Sequence, residues 1–96
     1  MNLIDRLKFF FSTFHTGTVN IILHVISAIP LFVGLVVKGI SLVILFYIIE
    51  SSGHIYNYLF VFDEDLRKKS IEVIPLQIVL PSLFVLILMV LFNWFW

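Results

Sequence analysis

Residues 15–58 read HTGTVNIILHVISAIPLFVGLVVKGISLVILFYIIESSGHIYNY, and the reading of this stretch decides the fold. Two apolar runs, about 19–37 and about 40–62, flank Lys38 and Gly39. Each is close to the ~20 residues that a helix needs to cross the hydrocarbon of a bilayer. With so short a connection, the two helices must fold back on each other as an antiparallel hairpin. Pro30, near the middle of the first run, is expected to kink it or thin its hydrogen bonding.

Upstream, Leu3, Ile4, Leu7, Phe10, Phe11 and Phe14 recur at helical spacing, with Asp5, Arg6, Lys8 and Ser12 off that face. The pattern predicts an amphipathic surface helix over residues 2–14, its phenylalanine stripe turned to the membrane. Asp5, Arg6 and Lys8 interrupt the apolar pattern, and no small-residue cleavage site follows, so a cleaved signal peptide is not expected. Downstream, Asp63, Glu64, Asp65, Arg67, Lys68 and Lys69 end the second run and read as a solvated loop. A third apolar run, about 73–96, contains Pro81 and closes on Trp94, Phe95 and Trp96, residues that favour a membrane interface. Split at Pro81, it would give halves too short to span.

The whole chain agrees with this division. Of its 96 residues 61% are hydrophobic and 12% charged, and its mean hydropathy is +1.15. An ordinary soluble domain carries about 25% charge. The expected fold class is therefore all-α: a small polytopic helical bundle in which residues 1–96 form a single membrane domain with three transmembrane helices and an N-terminal amphipathic helix. Any chemistry must come from the spans and their connections. A net charge of zero gives a nucleic-acid partner no electrostatic support. The lack of cysteine removes thiolate chemistry and disulfides. No phosphate-binding glycine loop, hydrolase motif or tight zinc-finger spacing occurs.

With three spans, the N-terminus and the loop after the second lie on one side and hold Arg6, Lys8, Arg67, Lys68 and Lys69, against Lys38 alone on the other. The positive-inside rule makes the N-terminus cytoplasmic in a multi-pass integral membrane protein, with the C-terminus across the bilayer.

Ionisable groups inside apolar spans are costly and point to function. At a rise of ~1.5 Å per residue, His24 and His54 stand roughly 22 and 23 Å from the hairpin turn, and so level with each other. Asn20 is one turn from His24, Glu50 one turn from His54, and Asn57 and Tyr58 continue that stripe. His15 is expected one to two turns further toward the cytoplasm. Gln77 lies near the cytoplasmic end of the third span. Residues 29–49 and 83–92 are almost purely aliphatic and aromatic, so the polar groups gather in one leaflet.

Imidazoles suit iron, zinc or copper, and three that converge with open positions suit a non-haem ferrous site for dioxygen and substrate. Glu50 would complete or orient it, and the apolar half would accept an acyl chain. Plainer readings stand beside this. A histidine in a helical bundle is commonly a hydrogen-bonded packing residue; Asn20 would then merely link helices, and Gly53 permit close packing. His24 and His54 could instead be axial ligands of a b-type haem. A non-enzymatic small membrane subunit, including a homo-oligomer held by its polar stripe, would use the same residues for association alone.

His15, Asn20, His24 and Pro30, followed by Gly53-His54, form an ordered pattern from about Phe14 to Tyr58. It resembles the small iron-dependent membrane dioxygenases of fatty acid alpha-oxidation, which shorten 2-hydroxy fatty acids by one carbon. The resemblance implies that His15, His24 and His54 hold Fe(II), that Glu50 tunes the shell and Asn20 orients a ligand or substrate, and that dioxygen and a long-chain 2-hydroxy fatty acid are the reactants. The substrate would chelate the iron through its 2-hydroxyl and carboxylate. Members of that family usually have Gln in place of Glu50 and Phe-Glu in place of Asn57 and Tyr58, commonly followed by a Pro-Ala that this chain lacks.

Overall fold

The computed structural model describes all 96 residues, and they are helical nearly throughout, with no strand. Helix α1 spans Leu3–Phe11, α2 Thr18–Val37, α3 Ile40–Tyr56, α4 Glu64–Glu72 and α5 Ile74–Leu91. A 3-10 turn, Thr13–His15, joins α1 to α2, and a π turn, Asn57–Val61, prolongs α3.

The hairpin forms where the sequence places it. Lys38 takes the left-handed conformation (φ 56°), and the Gly39 amide donates to the Gly34 carbonyl over 2.9 Å, closing α2 and reversing the chain. α2 continues through Pro30 as one helix. Helices α2 and α5 are each long and apolar enough to cross a membrane.

The charged cluster expected as a loop is instead α4. Asp63 caps it by accepting from the Leu66 amide at 2.9 Å, with Glu64 and Asp65 in the first turn and Lys69 in the last. That polarity suits the helix dipole. The third apolar run is shorter than expected. α5 ends at Leu91, Asn93 takes a positive φ of 62°, and the Trp94 indole turns back to donate to the Leu35 carbonyl at 3.0 Å.

The phenylalanine stripe also departs from expectation. Phe9, Phe10 and Phe14 are buried with Phe62 and Val73, while Leu3, Ile4 and Phe11 remain exposed. α1 packs against α4 and α5, so its aromatic face is divided between a protein core and the outside. A second apolar cluster, Leu31, Leu35, Val43, Phe46 and Val85, fills the end near the hairpin turn. Between the two lies a buried polar layer containing Asn20, Ser27, Glu50, His54 and Asn57.

Candidate metal centre

The polar layer exists because two backbones are allowed to approach. At Gly53 a Cβ would collide with the Asn20 carboxamide and crowd its Cα at 3.1 Å, so glycine is what lets α3 lie against α2 at this height. Gly17 has φ +95°, and a Cβ there would stand 2.9 Å from Asn57 Oδ1. Asn57 in turn donates to the Thr16 carbonyl at 2.6 Å. These contacts fold the 3-10 turn back over the hairpin. They bring His15 level with the other two histidines, not one to two turns below them.

His15, His24 and His54 each offer a ring nitrogen, and the three atoms lie within 4.8 Å of one another. Ring centroids are 4.7 Å apart for His15–His54 and His24–His54 and 5.4 Å for His15–His24, with planes crossed at 75° to 89°. Nδ1–H of His24 donates to the Asn20 carbonyl at 2.8 Å, and Nδ1–H of His15 donates to the Phe10 carbonyl. Both rings therefore turn Nε2 inward, the usual way a carbonyl fixes the tautomer of a metal-binding histidine. His54 stacks on Phe14 with centroids 4.1 Å apart. Its Nδ1 edge meets the Asn20 carboxamide at 3.5 Å, the Phe14 carbonyl serves the same ring, and its Nε2 has no partner. Burial holds the His15 imidazole below the usual histidine range; the nearby His24 lowers it further and the Phe10 carbonyl partly opposes the shift. The neutral ring favoured in this way is the form that binds metal.

Glu50, 4% exposed, completes the cluster. Its Oε1 accepts from Gln77 Nε2 and stands 3.9 Å from Nε2 of both His24 and His54. Its Oε2, like those two Nε2 atoms, is buried without a partner. An unsatisfied buried polar atom costs about 1–3 kcal/mol, so three together rival the ~5–15 kcal/mol net stability of a small domain. A cation among two imidazole nitrogens and a carboxylate would satisfy all three, and the donor set therefore fits a metal.

The five residues singled out in the sequence divide by role. His15, His24, His54 and Glu50 converge. Asn20 serves as a bracket whose amide reaches the Phe14 and Thr16 carbonyls at 3.3 and 3.4 Å. Asn57, expected in the same stripe, belongs to the scaffold. Tyr58 gives its carbonyl to Arg67 Nε at 2.8 Å. The sequence places Gln77 in the polar leaflet and Phe14 on the membrane face without giving either a role at the site. Gln77 had a signal, as an amide standing in an apolar run; the stacking of Phe14 had none. Comparison with known families, characterised proteins and solved structures gives no match to this chain.

Proposed function

We propose that the protein is a membrane-embedded Fe(II)-dependent dioxygenase that shortens long-chain 2-hydroxy fatty acids by one carbon. The carrying observation is the convergence of three histidines and Glu50 on one point, with the buried Nε2 atoms of His24 and His54 and Glu50 Oε2 left unpartnered. In this reading α2, α3 with its π turn, and α5 span the bilayer with the N-terminus cytoplasmic. Only 18 of 96 residues are buried, and the many exposed Ile, Leu, Val and Phe side chains would make an apolar surface far larger than a soluble monomer tolerates.

His15, His24 and His54 hold the metal, their Nδ1 partners fixing ring orientation. Gln77 holds Glu50 Oε1 beside the two Nε2 atoms, and Oε2 would complete the shell around the metal. Phe10, Phe14 and Phe46 exclude water around the cluster. Bound ferrous iron supplies the dioxygen chemistry that side chains alone lack. Overall, a 2-hydroxy acid and one dioxygen become the acid one carbon shorter, carbon dioxide and water, a balance that needs no further reductant. Ring centroids 4.7 Å apart, with Glu50 beside both His24 and His54, favour an ion over a haem macrocycle between them.

Metal analysis of protein purified without chelator or nickel tests the site, and product formation from a long-chain 2-hydroxy acid tests the chemistry. Stoichiometric iron in a nearly colourless sample is expected, with conversion that requires the 2-hydroxyl. A Soret band would replace this reading with the haem protein. Product formation unchanged in His24→Ala and His54→Ala would end it, and no stoichiometric metal would leave a structural membrane subunit.

A further inference from the structure

One cavity runs from the metal centre well beyond it. It has a volume of about 600 Å³ and lies between the α2–α3 hairpin and α5. Its polar end is made by His15, His24 and Glu50; its walls are Phe46, Leu80, Pro81, Leu83, Phe84 and Ile87. The polar end holds two of the unpartnered buried atoms, His24 Nε2 and Glu50 Oε2. From Leu80 to Ile87 the groove follows α5 for roughly 10 Å. There it meets the packed cluster of Leu35, Val43, Phe46 and Val85, backed by Leu88, Met89, Phe92 and Trp94. The inner end is therefore closed. The side is open, because Leu83, Phe84 and Ile87 are each more than half exposed.

We infer that this groove seats the proximal part of a single acyl chain that enters sideways from the bilayer, carboxyl end first, with the distal tail remaining among the lipids. The inference rests on the membrane and metal readings above and adds the substrate's path. A two-ended ligand fits, since one end of the groove meets the metal centre at His15, His24 and Glu50 and the other offers hydrocarbon. Lipid tails are as apolar as leucine, so a chain gains little by leaving them for the groove. Selection therefore falls on the head group and on the width of the opening at Leu83 and Phe84. Beyond a minimum length that reaches Ile87, additional carbons stay outside and are not read. A smaller cavity of about 410 Å³ lies beside Ser51, His54, Ile55, Ser70 and Ile74. It meets only one histidine and borders the charged helix α4, so it suits an acyl chain less well.

Photolabelling in lipid nanodiscs tests the path without turnover. The probe is a long-chain 2-hydroxy acid with a diazirine at mid-chain, added to iron-loaded protein under strict exclusion of oxygen. Adducts are expected on Phe46, Leu83, Phe84 and Ile87, and should be lost on adding excess unlabelled acid but not excess phosphatidylcholine. Leu83→Trp and Phe84→Trp, at positions exposed enough to tolerate the ring, should each suppress the Phe46 adduct while iron content is unchanged. Adducts concentrated at Ile55, Leu59, Ile71 and Ile74 would overturn the inference in favour of the smaller cavity. Labelling spread over the outer faces of α2 and α5 and resistant to competition would overturn it as well. Loss of iron binding would instead count against the metal reading, so the two failures are told apart.

Discussion

The α2–α3 hairpin and helix α5 are built of similarly apolar residues, yet they are held in place in different ways. The hairpin is joined by close approach: Gly53 against Asn20, a tight reversal at Lys38, and the buried residues Leu31, Leu35, Val43 and Phe46 between the two helices. α5 buries only Val85 and stands far enough from the hairpin to leave the groove open. What ties it there is a series of three hydrogen bonds at three heights: Gln77 to Glu50, Tyr47 to Ser82 at 3.0 Å, and Trp94 to the Leu35 carbonyl at 3.0 Å. Inside a bilayer, where apolar contact between helices brings little net gain, packing and such polar bonds carry association. The histidines sit on the rigidly packed part and its adjoining turn, and the groove proposed as an access route lies beside the part held by a few bonds.

The most severe way to break the hairpin is Gly53→Val. Its branched side chain has no room beside Asn20, and overpacking at such a site costs about 1–3 kcal/mol or more. Loss of iron together with a lower unfolding midpoint in detergent is expected; an unaltered midpoint would show that the helices are not in contact here. Replacing His15, His24 or His54 singly by Ala should remove most bound metal while the protein still inserts, read by metal content of the purified membrane fraction. Gln77→Leu acts from the other region. It frees Glu50 from its orienting donor, and a metal affinity weaker by roughly 10–100-fold is expected from a change of this kind, measurable by chelator competition. Glu50→Gln separates two roles: a metal ligand would lose affinity with the charge, whereas a residue used only through its hydrogen bonds would tolerate the change. Trp94→Phe should have the smallest effect. Removing one bond of about 1 kcal/mol should speed amide exchange in the last turns of α5 and leave iron untouched; slower exchange there would contradict the tether.

Much of the hairpin was legible because a single period governs it. Apolar runs of the right length, a two-residue break and polar residues repeating at one turn are enough to place His24 level with His54 and Glu50 one turn away. The height of His15 was not legible, because it depends on a 3-10 turn and on the positive φ of Gly17, neither of which follows from helical spacing. α4 carries a sign beyond its charge: Asp63 followed by acids and then bases is a capped helix. The partnership of Gln77 with Glu50 could not be read at all. It requires the rotation of α5 about its own axis, and with apolar residues on every side of that helix no stripe marks the inward face.

The π turn at Asn57–Val61 has a consequence for chain length. It holds more residues per turn than the helix before it, as though one had been inserted after Tyr56, and the carbonyls of Tyr58 and Leu59 that face outward there are taken by Arg67 at 2.8 and 3.2 Å. Deleting one residue would restore an ordinary helix and close the widened turn, leaving the segment after it pointing much as before. The carbonyls of Tyr58 and Leu59 would return to the helical ladder, and Arg67 would lose both acceptors. The number of residues in this segment, more than their identity, decides whether α4 is tied back to the end of α3 through Arg67.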